Sequence, residues 1–157
     1  HEGYVAHEIE RQQAGKALLP RKVKRIFRKG AWVDEQKRMM PGYVFVFSNA
    51  AYPKAELRRI DHVIRVLHYE EEPEGYLMGR DRELAEMLLK KDGLLGVLAA
   101  IEVGGRVQIT DGLLQHYRGK VLKMDKRKQM AEIQLDIAGD VTSVWLSYEV
   151  LDKDETE

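Results

Sequence analysis

From Val103 onward the chain reads as strand and turn throughout, and that restricts what its last third can fold into. Val107 and Ile109 alternate with Arg106 and Gln108, the period of a half-buried strand. Asp111-Gly112 is a turn signal, and Gly119 stands where a second strand, Lys120–Met124, begins. A glycine at a strand start suits a tight bend or a close backbone approach in a very small barrel. Further on, Ile133, Leu135 and Ile137 interleave with Gln134 and Asp136, and Thr142–Leu146 and Tyr148–Leu151 supply the remaining strands. The expectation is a small all-β barrel.

The first ninety residues read differently. Val5 and Ile9 at i, i+4 predict a helix over His1–Gln13, closed by Gly15. Ala17-Leu18-Leu19-Pro20 and Val23–Arg28 are expected to be extended, with Ala31-Trp32-Val33 as the far arm of a hairpin across Lys29-Gly30. After the turn at Pro41-Gly42, Tyr43–Phe47 is continuously apolar, as in a central strand covered on both faces. A short helix is expected over Pro53–Ile60, a strand over Val63–Tyr69, and a helix over Asp81–Lys91 that stops at Gly93. The fold class is therefore α+β: an N-terminal α/β sandwich of helices on an antiparallel sheet, then the barrel. Residues 1–92 form the first domain, 93–101 an apolar linker, and 102–157 the second domain.

Composition excludes several functions. The chain of 157 residues has no cysteine, so disulfides, thiolate metal sites and cysteine nucleophiles are absent, which fits a reducing cytoplasm. No apolar run approaches the roughly 20 residues of a membrane span, and no signal peptide is expected. Net charge is zero, yet it is unevenly spread. Lys16–Arg38 holds nine basic and two acidic residues, and Arg118–Lys128 six and one, while Glu70–Glu74 and Asp152–Glu157 carry much of the acid. Such asymmetry suggests local basic faces, either solvated or facing an anionic partner. Nothing reads as catalytic. His7-Glu8 opens like a zincin helix, but Arg11 occupies the second histidine position. Glu70–Glu72 has no paired histidine, and Val103-Gly104-Gly105 precedes a strand rather than a phosphate-binding helix. No enzyme activity, cofactor or metal is expected.

Two motifs carry a family resemblance. The segment from Val103 to Asp125 resembles the KOW motif of SH3-like barrels in transcription and ribosomal proteins that handle RNA. Arg38-Met39-Met40-Pro41-Gly42-Tyr43-Val44-Phe45-Val46 resembles the signature of the NusG-like family of transcription elongation and antitermination factors. Glu2–Gln12 is similar to that family's first helix. Family members carry an aromatic-rich strand just before it, so the resemblance implies that the sequence given starts beyond that strand.

The resemblance implies a NusG-type N-terminal domain that binds the clamp helices of the RNA polymerase largest subunit, through Met40, Tyr43 and Phe45 by position. It implies non-template DNA contact by Arg11 and Gln12, while the basic hairpin residues Arg21, Lys22, Lys24 and Arg25 suit electrostatic positioning on DNA. In the barrel, Arg118, Lys120, Lys123, Lys126, Arg127 and Lys128, with His116 and Tyr117 as a stacking pair, suit nascent or structured leader RNA. Family barrels that recruit Rho or ribosomal protein S10 expose an aromatic residue where this chain has Leu114, so neither partner is expected. The basic barrel and altered loop resemble the specialised, LoaP-like antiterminator branch. A housekeeping elongation factor and a ribosome-associated KOW protein remain the alternatives.

Overall fold

The structure, a computed structural model, describes residues 1–12, 15–48, 54–72, 75–110 and 120–151. It is α+β with few helices and mostly strands. Among the described residues, the helices are α1 (Glu2–Arg11), α2 (Lys54–Arg58) and α3 (Gly79–Lys90). The strands are β1 (Lys16–Leu18), β2 (Arg21–Arg28), β3 (Ala31–Arg38), β4 (Phe45–Phe47), β5 (Leu94–Leu95), β6 (Leu98–Val103), β7 (Arg106–Ile109), β8 (Lys120–Asp125), β9 (Met130–Ile137) and β10 (Asp140–Val150).

They form three sheets rather than one sandwich sheet and one barrel: β1-β4, β3-β2-β5 and β7-β6-β10-β9-β8. The five-stranded sheet curls into a half-barrel. Its spine is β10, which pairs antiparallel with β9 from Asp140 to Ser147 and parallel with β6 from Tyr148 to Val150. One uninterrupted strand thus replaces the two expected over Thr142–Leu146 and Tyr148–Leu151. Among the described residues, three hairpins close through two-residue turns with both φ angles positive: Lys29-Gly30, Gly104-Gly105 and Ala138-Gly139. That geometry matches the right-handed twist of the flanking strands.

The apolar run after Pro41-Gly42 is covered on both faces, as its composition predicts, but only Phe45–Phe47 is strand, paired with β1. Phe45 joins the main core with Leu18, and Tyr43 and Phe47 pack against that core. Val44 and Val46 pack on the other side against Val5 and Ile9 of α1 and Ile60. Gly42 makes the bend, at φ +89, a region side chains disfavour.

Two expectations fail locally. Val63–Tyr69 is no strand; its last residue, Tyr69, makes only an isolated bridge to Glu72, and Ile64 is 96% exposed. β-Branched composition needs a neighbouring strand to pair with, and among the described residues none pairs with this run. Where a linker is expected over 93–101, the chain enters both larger sheets. Leu94–Leu95 runs parallel to β2, Leu98–Ala100 parallel to β10, and Leu95, Leu98 and Ala100 are buried. α3 ends in a Schellman turn: Gly93 donates to the Leu88 carbonyl and Asp92, at φ +54, to that of Leu89.

Leu18, Met39, Met40, Phe45, Leu84 and Leu88 belong to one core cluster with Ile133, Leu135, Ile137, Val144, Leu146 and Tyr148. Apolar burial at roughly 25 cal/mol per Å² makes this shared core the dominant stabilising element.

Candidate nucleic-acid interface

The basic hairpin β2–β3 is docked at its base and free at its tip. β2 runs beside β10: the Lys22 ammonium donates to the Trp145 carbonyl, and the Arg25 amide to the Ser147 hydroxyl at 3.1 Å. Burial, then the neighbouring charge of Lys24, lowers the pKa of Lys22. Arg21 donates to the Gln36 side chain at 2.8 Å and to the Asp92 carbonyl at 3.2 Å. Arg25 lies 3.6 Å from both Asp34 and Glu149 and sits over the Trp32 ring, 5.7 Å from its centroid. Of the four hairpin residues expected to meet DNA, Arg21, Lys22 and Arg25 thus hold the hairpin in place, while Lys24 is half-buried without an ion pair among the described residues.

Sequence reasoning passed over the tip. Phe27 and Trp32 are cross-strand partners, 59% and 36% exposed, and meet edge-to-face at 5.4 Å. Their equal distance from Lys29-Gly30 was the available signal, since a two-residue turn must pair them. Arg28 and Lys29 adjoin them, both exposed, with Arg28 bound to Glu35 at 2.8 Å.

On α1, Arg11 grips Glu8 with two nitrogens, at 2.7 and 3.0 Å. The guanidinium hydrogen bond lowers the Glu8 carboxyl and raises Arg11. Gln12 follows the helix as its cap. Both positions are exposed, but the Arg11 fork already has an acceptor.

In the half-barrel, the β8–β9 turn carries Lys126, Arg127 and Lys128 in the open, with Lys120 and Lys123 exposed on β8. The turn is shaped by Asp125, which accepts from the Lys128 amide at 3.0 Å, while Lys126 reaches the Gly105 carbonyl at 3.1 Å. A bulge at Leu122 shifts the β8 register between Val121 and Lys123. His116, Tyr117 and Arg118, with Leu114, lie outside the described residues.

The apolar patch expected at the surface is mostly interior. Met40 is 2% and Phe45 8% exposed, because the core they enter includes strands of the half-barrel. Tyr43 is half-buried, and its hydroxyl donates to Asp140, which also accepts from Arg65. Burial, then that carboxylate, raises the Tyr43 phenol. Nearby, Asp81 accepts from the Tyr69 hydroxyl at 2.5 Å and from the Ala138 amide at 3.1 Å. Burial, then Asp81, likewise raises Tyr69.

Among the described residues, no group of three or more histidines, aspartates or glutamates could hold a metal ion. No helix there is long and apolar enough to cross a membrane. Neither a protein-family model nor a curated protein matches this chain.

Proposed function

We propose that this chain is a cytoplasmic transcription elongation or antitermination factor of the NusG-like kind. It attaches to RNA polymerase through its N-terminal part and contacts nucleic acid through its basic hairpins. The observation that carries the reading is the run from Arg38 to Val46, a basic residue and two methionines before a Pro-Gly bend and an apolar strand. The exposed basic turn Lys126–Lys128 on a curled β-sheet supports the RNA-binding part. Met40, Tyr43 and Phe45 are the proposed clamp grip. Because two of them are buried, the grip belongs to an arrangement in which the Tyr43–Asp140 contact has opened.

In a transcription assay with purified bacterial RNA polymerase, the full chain should raise read-through of a pause or terminator. Failure to co-purify with polymerase and to change read-through would end this reading. A second reading, an RNA-binding protein without a polymerase grip, is favoured by the burial of Met40 and Phe45. It predicts RNA gel shifts that weaken steeply with salt, about one unit of slope per phosphate contact, with no effect on polymerase.

A further inference from the structure

We propose that the tip of the β2–β3 hairpin is a stacking platform for unpaired bases of a single-stranded nucleic acid. It rests on the reading that this hairpin meets nucleic acid, but not on polymerase attachment. Phe27 and Trp32 are open to solvent at the end of a ribbon whose base is fixed to β10. Exposed aromatic rings on a hairpin tip lose apolar burial unless something covers them.

What covers them is indicated by charge. Arg21, Lys22, Lys24, Arg25, Arg28, Lys29, Lys37 and Arg38 outnumber Asp34 and Glu35. Both acids already face cations: Asp34 lies by Arg25, and Glu35 by Arg28 and Lys37. The surplus is positive, so the partner is anionic. Aromatic faces beside positive charge suit bases and phosphates together, and such stacking is indifferent to sequence. The rings are also pre-set. Their edge-to-face packing and the Arg25 guanidinium over Trp32 fix them before any ligand arrives, which reduces the entropy lost on binding.

An anionic membrane would share the charge preference. The turn disfavours it, because Lys29 lies beyond the rings and would enter the bilayer first. A duplex is disfavoured too, since its bases are stacked on one another. With Asp34 and Glu35 engaged, neither is free to select a ribose hydroxyl, so DNA and RNA strands should both bind.

The test uses the full chain and oligothymidylate or oligouridylate of about twelve nucleotides, within the usual range for single-strand sites. Binding is followed by tryptophan emission and by anisotropy of the labelled strand. Both strands should quench emission, and the Trp32→Phe variant should lose that quench although Trp145 remains. Phe27→Leu with Trp32→Leu keeps apolar bulk at the tip and should weaken binding roughly tenfold or more, with an unchanged circular dichroism spectrum. Lys126→Glu with Arg127→Glu, on the other basic turn, should leave the Trp32 quench in place.

Three results would overturn the platform. The first is wild-type affinity in the double leucine variant. The second is strand binding by anisotropy with no change at Trp32. The third is a Trp32 response to phosphatidylglycerol vesicles or to duplex, but not to single strands. Because polymerase is absent, failure here leaves the clamp proposal untouched, and failure of polymerase binding leaves the platform untouched.

Discussion

Asp140 accepts from Tyr43, 97 positions earlier, and from Arg65, 75 positions earlier. Both bonds are charge-assisted, and their worth depends on exposure. Arg65 is largely in water, where an ion pair contributes little. The Tyr43 bond is half-buried and should carry most of the energy. Asp140→Asn should therefore cost about 1–2 kcal/mol in urea unfolding. Combining it with Tyr43→Phe should cost less than the two single changes added, and strict additivity would refute a direct bond. The same pair sets a pH response. Burial and a neighbouring carboxylate raise the phenols of Tyr43 and Tyr69, so folding favours their protonated forms. That contribution is fully present below the ordinary tyrosine value and is lost as pH rises through the raised one. Stability should hold through neutrality and fall only above about pH 10, in step with a delayed ultraviolet tyrosinate signal. An unfolding midpoint flat to the end of the tyrosine titration would contradict it.

At the level of elements, the two-residue turns are the strongest local determinants, and they are not equally well served by sequence. Gly104-Gly105 tolerates two positive φ angles freely, whereas Ala138 holds φ +51 with a side chain that disfavours it. Asparagine before glycine is the preferred pair for this turn. Ala138→Asn should thus stabilise the protein by about 0.5–1 kcal/mol, and a lowered melting temperature would contradict the assignment. These turns also mark what was legible. Lys29-Gly30 announced its hairpin, and the alternation at Ile133–Ile137 announced β9, because turn chemistry and period are written locally. The Val63–Tyr69 run was not readable as non-strand, since pairing depends on a neighbour that composition does not name. Leu94–Ala100 misled for the opposite reason: its glycines break the apolar pattern into pieces too short to register. For Tyr43 and Phe45, alternation fixed a shared face correctly. It could not say what covers that face, because the cover comes from strands about ninety residues away.

At the scale of the whole molecule, that cover links fold to proposed function. The core holding Met40 and Phe45 is the one holding Ile133, Leu135 and Ile137, and polar contacts surround it. Tyr43 and Arg65 reach Asp140, Asp81 holds the Ala138 amide, and Lys22 and Arg25 tie β2 to β10. Truncating Phe45 is therefore a poor probe of partner binding, because removing a buried phenylalanine costs about 3–5 kcal/mol whatever its role. Weakening the polar clasp is a cleaner one. If polymerase needs the Met40–Phe45 surface, only the opened population binds, and apparent affinity is the intrinsic affinity multiplied by the open fraction. Asp140→Ala with Arg65→Ala removes this polar clasp without carving the core, and each 1.4 kcal/mol by which it favours opening should raise polymerase affinity about tenfold. A contact surface elsewhere predicts no such gain, whatever the loss in folding stability. Polymerase capture by the double variant, measured beside its urea midpoint, separates the two: tighter binding with lower stability places the grip beneath the half-barrel, and lower stability alone removes it from there.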